Sequence, residues 1–161
     1  MKHIWLLLLA ALSAPDAGQS LSEELAWVIP PGWMRVDVHV DIAAHDPQEP
    51  EAVVTVFHVR PASGERLQID FLRKALVRFP IRGVSAPTAM LGTCSDGTVR
   101  FACEELQIQV GHRLDVAYAW VDEGRGWGFS ARYTLPERSE EHRLPLVRRV
   151  IGWKGTGPIR E

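Results

Sequence analysis

Asp37, His39 and Asp41 alternate along one short stretch, with Arg35 in line two residues earlier. In an extended chain, side chains two apart point the same way, so these groups would share a face and could offer two or three ligands to a metal ion. The same spacing also describes the solvated face of an amphipathic strand, with Arg35 compensating Asp37. His58 would join the set only if a neighbouring strand presented it on the same side. His112, in the turn Gly111-His112-Arg113, and His142 read as exposed turn and helix residues.

A second constellation is aromatic. Tyr118 and Trp120 precede the connection Asp122 to Gly126, and Trp127, Phe129 and Tyr133 follow it. Each set has period two, so the five rings would lie on one face of a two-stranded ribbon. Such a face can grip a peptide or sugar, or it can be core. Exposure of Trp120 and Trp127 discriminates between these.

Cys94 and Cys103 are the two cysteines, and an isolated pair in an oxidising compartment forms a disulfide. Asp96-Gly97 between them signals a tight hairpin. That register would set Cys94 opposite Val99 and Cys103 opposite Met90, too far apart to bond. A wider loop from Ser95 to Ala102, cinched by the bond, resolves the conflict.

Nothing else resembles catalytic equipment. There is no Gly-x-Ser-x-Gly elbow, H-E-x-x-H pair, Gly-rich phosphate loop or EF-hand loop, and Ser130 sits mid-strand. Glu104-Glu105 and Glu140-Glu141 read as surface or helix-start charges. No cofactor is implied, and no enzyme is indicated.

These residues need elements to hold them. Residues 1–20 read as a signal peptide: Lys2, an apolar run from Ile4 to Leu12 too short to span a bilayer, then small and polar residues. Ala11-Leu12-Ser13 and Gly18-Gln19-Ser20 are the candidate processing sites. The mature chain would be periplasmic or extracellular. Residues 21–154 suit one globular domain, with a loose tail over 155–161. The 18 Lys and Arg nearly balance the 20 Asp and Glu, which gives no reason to expect a nucleic-acid partner. No later segment is apolar for long enough to cross a membrane.

Met34 to Ile42 alternates apolar and polar residues, as a half-buried strand does, and Ala52 to Val59 is apolar on both parities. Ser63 to Phe79 predicts an amphipathic helix stopped by Pro80. Thr88–Thr93, Thr98–Val110, Arg113–Val121 and Trp127–Thr134 read as an antiparallel meander. A last helix is expected near Leu144, with Pro145 in its first turn. The expected class is α+β: a single twisted antiparallel sheet flanked by helices.

The order of elements resembles the PsbP-like superfamily, which also includes the Mog-type and DcrB-type proteins. The resemblance rests on Ile29-Pro30-Pro31-Gly32-Trp33 before the first strands, the helix up to Phe79, Leu91-Gly92, the turn Asp96-Gly97, and Leu146-Val147-Arg148-Arg149-Val150-Ile151. It spans about Trp27 to Trp153. Known members are mostly accessory, adaptor or chaperone-like binding proteins, several of them exported. The resemblance therefore implies a non-enzymatic module contacting a protein or peptide partner. The alternative is a small-ligand or metal binder using the aromatic ribbon or the Asp37, His39, Asp41 face. The resemblance carries no binding residues across.

Overall fold

The computed structural model describes residues 17–60 and 88–158. α1 (Ala17–Glu24) and a short 3-10 turn (Ala26–Val28) lead into β1 (Met34–Arg35), β2 (Ile42–His45) and β3 (Val53–Val59). The second half forms β4 (Thr88–Ser95), β5 (Arg100–Val110), β6 (Arg113–Asp122), β7 (Trp127–Pro136), α2 (Glu137–Ile151) and β8 (Lys154–Pro158). All eight strands join one antiparallel sheet in the order β1-β2-β3-β7-β6-β5-β4-β8. Two meanders, β1 to β3 and β4 to β7, meet where β3 pairs with β7.

This corrects the expected fold class. Among the described residues the molecule is mainly β, built on one large eight-stranded sheet, and not an α+β sheet flanked by helices. The predicted helix from Ser63 to Phe79 and most of the signal peptide lie outside the described residues.

Period two builds the core. Val54 and Val56, Val116, Tyr118 and Trp120, and Phe129, Ala131, Tyr133 and Leu135 fall on one face of β3, β6 and β7. Leu21, Leu25 and Val28 from the N-terminal segment and Val147 and Ile151 from α2 pack against them. The opposite face is also buried at Leu106, Ala117, Ala119 and Ser130.

Two polar groups in this core are bonded to distant elements. The Tyr133 hydroxyl donates to the Val28 carbonyl. Glu105, 1% exposed, accepts from the Tyr118 hydroxyl at 2.7 Å, from Arg148 Nε at 3.0 Å and Nη2 at 2.7 Å, and from Gln107 at 2.9 Å. Glu104 is buried as well. The pair Glu104-Glu105 is thus interior, against the expectation of surface charge, and Glu105 ties β5 to α2.

Four local expectations change. Met34 to Ile42 is not one strand: β1 has two residues, and a loop whose valines are exposed precedes β2. The hairpin between β4 and β5 is neither of the forms anticipated. Pairing reaches Ser95 and Arg100, so four residues make the connection, and Asp96 Oδ1 accepts from Thr98 and Val99 N–H, each at 2.8 Å. Cys94 then faces Phe101 while Cys103 faces Gly92, and the cysteines meet on the diagonal with Cα atoms 5.7 Å apart. Their disulfide joins the core face of paired strands, where a 5.7 Å separation is ordinary.

α2 starts at Glu137, well before Leu144, and holds Pro145 in its interior. A helix-interior proline costs about 3 kcal/mol. Arg143, just before it, ion-pairs with Asp46 and with Glu49 (2.8 Å) in the β2–β3 connection, which anchors this part of the helix. Gly152 ends the helix in the left-handed region (φ 64°), with Trp153 N–H donating to the Arg148 carbonyl at 2.9 Å. Finally, residues 155–158 are not a loose tail but belong to β8, paired with β4. Gly92 permits this: a Cβ there would lie 2.3 Å from the Lys154 carbonyl oxygen and 2.6 Å from the Trp153 ring.

Candidate functional site

Pairing of β3 with β7 brings His58 opposite Phe129 and carries the chain on so that Arg60 reaches Trp127. A row of rings runs from the core to the surface here. Trp27 and Phe101 flank Trp120, with centroids at 5.5 and 5.8 Å. Trp120 stacks on Phe129 at 5.6 Å, and Trp127 follows at 6.3 Å. His58 stacks on Trp127 at 4.8 Å and 18°, and the Arg60 guanidinium lies 4.2 Å from the Trp127 ring centroid. Cation–π contact of this kind contributes about 0.5–1 kcal/mol at an exposed site.

Electrostatics fix the corner from both sides. Asp41 holds His58 Nδ1 at 2.7 and 2.9 Å, the two groups keeping 15% and 25% of their side-chain surface exposed. Arg125, in the β6–β7 turn and 5.6 Å from the Trp127 centroid, ion-pairs with Glu24 at the end of α1 and with Asp122 at 3.7 Å. The Glu24 carboxylate keeps the Arg125 guanidinium firmly charged, raising its pKa against the opposing effect of desolvation. The result is an amphipathic surface: an indole and an imidazole bordered by two guanidinium groups.

The anticipated site residues divide sharply. Tyr118, Phe129 and Tyr133 are fully buried and Trp120 is 6% exposed, so these four face the interior. Burial, followed by the Glu105 charge, pushes the Tyr118 hydroxyl well above its ordinary pKa, and it stays a neutral donor; burial does the same to Tyr133. Trp127 alone of the five reaches the surface, half-buried. Asp37 and His39 are exposed in the loop after β1, while Asp41 is engaged by His58. The three do not converge, and no group of three His, Cys, Asp or Glu residues suited to a metal forms among the described residues. A cleft of about 120 Å³ bordered by Ser22, Arg35, Asp37 and Asp41 lies beside them. It is well below the roughly 300–1,000 Å³ of a small-molecule site.

Arg60 and Arg125 went unnoticed in the sequence. Their only signal is position: Arg60 follows β3 and Arg125 precedes β7, and both matter only once those distant strands are paired.

The backbone can be compared with known structures. It is similar to the solution structure of cyanobacterial PsbP (CyanoP) from Synechocystis sp. PCC 6803, with a TM-score of 0.50 and 21% sequence identity over 77% of this chain and 81% of that one. The fold is PsbP-like. Of the resemblance read from the sequence, this supports the PsbP-like part. No protein-family model and no curated protein matches the chain.

Proposed function

We propose that this is an exported, non-enzymatic accessory protein that contacts a protein or peptide partner, periplasmic or extracellular, through the corner formed by Trp127, His58, Arg60 and Arg125. The observation that carries this reading is the half-buried Trp127 framed by two guanidinium groups on a PsbP-like scaffold. Trp and Arg are the residues most enriched among interface hot spots. The Cys94–Cys103 bond fits an oxidising compartment, and among the described residues no helix is long and apolar enough to cross a membrane.

Replacing Arg60 with a photo-crosslinking residue tests it. Irradiation in cells should trap one discrete partner from position 60 and none from Lys154 at the far edge, and adding W127A should reduce the yield about tenfold. Equal labelling from both positions, or no adduct, would refute the corner as the contact. The mass of the purified protein checks export, since removal of the first 13 or 20 residues is expected.

The metal reading keeps one favourable observation, the contact between Asp41 and His58. A metal would require Asp37 or His39 to swing in from the exposed loop. Titration with zinc would then show saturable heat that D41N abolishes.

A further inference from the structure

β1 is one edge of the sheet, and among the described residues nothing pairs with its outward backbone. The Val36 N–H donates to the Ala43 carbonyl at 2.9 Å, so the backbone groups of Met34 and Val36 face β2. By the alternation of an antiparallel ladder, those of Arg35 and Asp37 face outward. Among the described residues no hydrogen bond engages them. No turn or bend interrupts the chain before His39.

The side chains alternate to match. Arg35 shares a face with Ala44, and Asp37 follows it; Met34, Val36 and Val38 take the opposite face. These three are 56%, 43% and 47% exposed. With Val40 they account for four of the six exposed large apolar residues in the described chain. Neither Arg35 nor Asp37 forms an ion pair among the described residues, and the Arg35 guanidinium bonds only the neutral Ser22 hydroxyl at 2.9 Å.

We infer that a second copy of this chain pairs antiparallel with β1 across this edge, about a two-fold axis at Val36. In that register Arg35 lies opposite Asp37 of the other copy, and their outward backbone groups form the hydrogen-bonded pairs. Each cation meets an anion, Met34 meets Val38, and Val36 meets itself. A shift of one residue puts Asp37 opposite Met34 or Val36 and pairs backbone groups that face inward. The segment is therefore complementary to itself in both charge and hydrogen bonding.

The far edge does not compete. β8 carries Lys154, Gly155, Gly157 and Pro158, and its ladder with β4 shifts between Leu91 and Gly92. Lys, Pro and bulges are the devices that blunt a sheet edge. With one free edge among the described strands, the assembly closes as a two-fold pair and does not grow into a filament. So short an edge buries little area, and the dimer forms only at high protein concentration.

Cysteine scanning on the purified protein tests this register. Val36 would lie in a non-hydrogen-bonded pair with its copy, Cα atoms about 4.5 Å apart, within disulfide reach. Both native cysteines are already bonded, so V36C offers a single thiol. Air oxidation should link V36C into dimers, leave M34C and V38C monomeric alone, and link a mixture of those two. Equal linking of all three single variants would indicate random collision and overturn the proposal.

Sedimentation should show the wild type dimerising with concentration. R35E and D37R should each weaken association about tenfold, and the double variant should restore it. A wild type that stays monomeric overturns the proposal; if it still binds a synthetic strand of alternating apolar and charged residues, the edge belongs to a foreign strand.

Discussion

Glu105 shows how one carboxylate can stay ionised in an apolar interior. Burial favours its neutral form, yet Arg148 and the donors from Tyr118 and Gln107 outweigh that effect and hold its pKa below the usual range. The same carboxylate raises the pKa of Arg148. E105A would strand the Tyr118 hydroxyl and leave Arg148 without its carboxylate partner, and breaking a buried pair from one side costs about 3–5 kcal/mol. Urea unfolding should show that loss, with a smaller one for E105Q, which keeps an acceptor for Tyr118. A midpoint unchanged in E105A would refute the role.

At this scale the site was half legible. The aromatic residues announce themselves by type, and their period puts them on one face, but only the packing of α1 and α2 decides which rings are covered. Glu105 looked like a surface acid because its partner Arg148 lies on a helix distant in sequence. His58 needed the β2–β3 register to find Asp41.

Among the elements, β8 depends on a residue it does not contain. G92A would drive a methyl group into the Lys154 carbonyl and the Trp153 ring. The expected cost is about 1–3 kcal/mol. Hydrogen exchange at 154–158 should accelerate more than exchange in β6, whereas uniform acceleration would argue against local detachment of β8. Reducing the Cys94–Cys103 bond should lower stability by about 2.5–3 kcal/mol, the chain-entropy value for so short a loop. Thermal unfolding with and without reductant measures it.

Much of β3 to β7 was legible because β-branched and aromatic residues recur there, with period two for the large side chains of β6 and β7, and turn residues separate the strands. Residues 34–42 misled because an exposed edge segment can alternate as cleanly as a half-buried strand. β8 was hidden for the opposite reason: Lys-Gly-Thr-Gly-Pro has almost no strand propensity, and β4 supplies the pairing. Pro145 pointed to a late helix start, and Arg143 with its two acidic partners holds the earlier turns in place.

For the molecule as a whole, three carboxyls among the described residues shape the response to acid. Asp96 is held below its ordinary pKa by the backbone N–H groups of Val99 and Thr98. Asp46 and Glu105 are held low despite desolvation, Asp46 by Gln48 N–H and Arg143 and Glu105 by Arg148. A carboxyl whose folded pKa is depressed adds stability that is full above its unfolded pKa and lost as pH falls through the folded value. Stability should therefore decline below about pH 4.5, and E105Q should flatten that decline. Urea midpoints between pH 3 and 7 decide it; an acid limb as steep in E105Q as in the wild type would exclude Glu105 as a contributor.

The junction between β3 and β7 also governs time. Val56 pairs with Ala131, so the first three strands wait for the last long one before the sheet can close. Local hairpins from β4 to β7 can form early, while closure must overcome the entropy of a long loop, which places refolding in the millisecond-to-second range. During synthesis the N-terminal strands emerge with no β7 to pair with. A chain that cannot complete its sheet until β7 has been made leaves its first strands without their partner through much of its own synthesis.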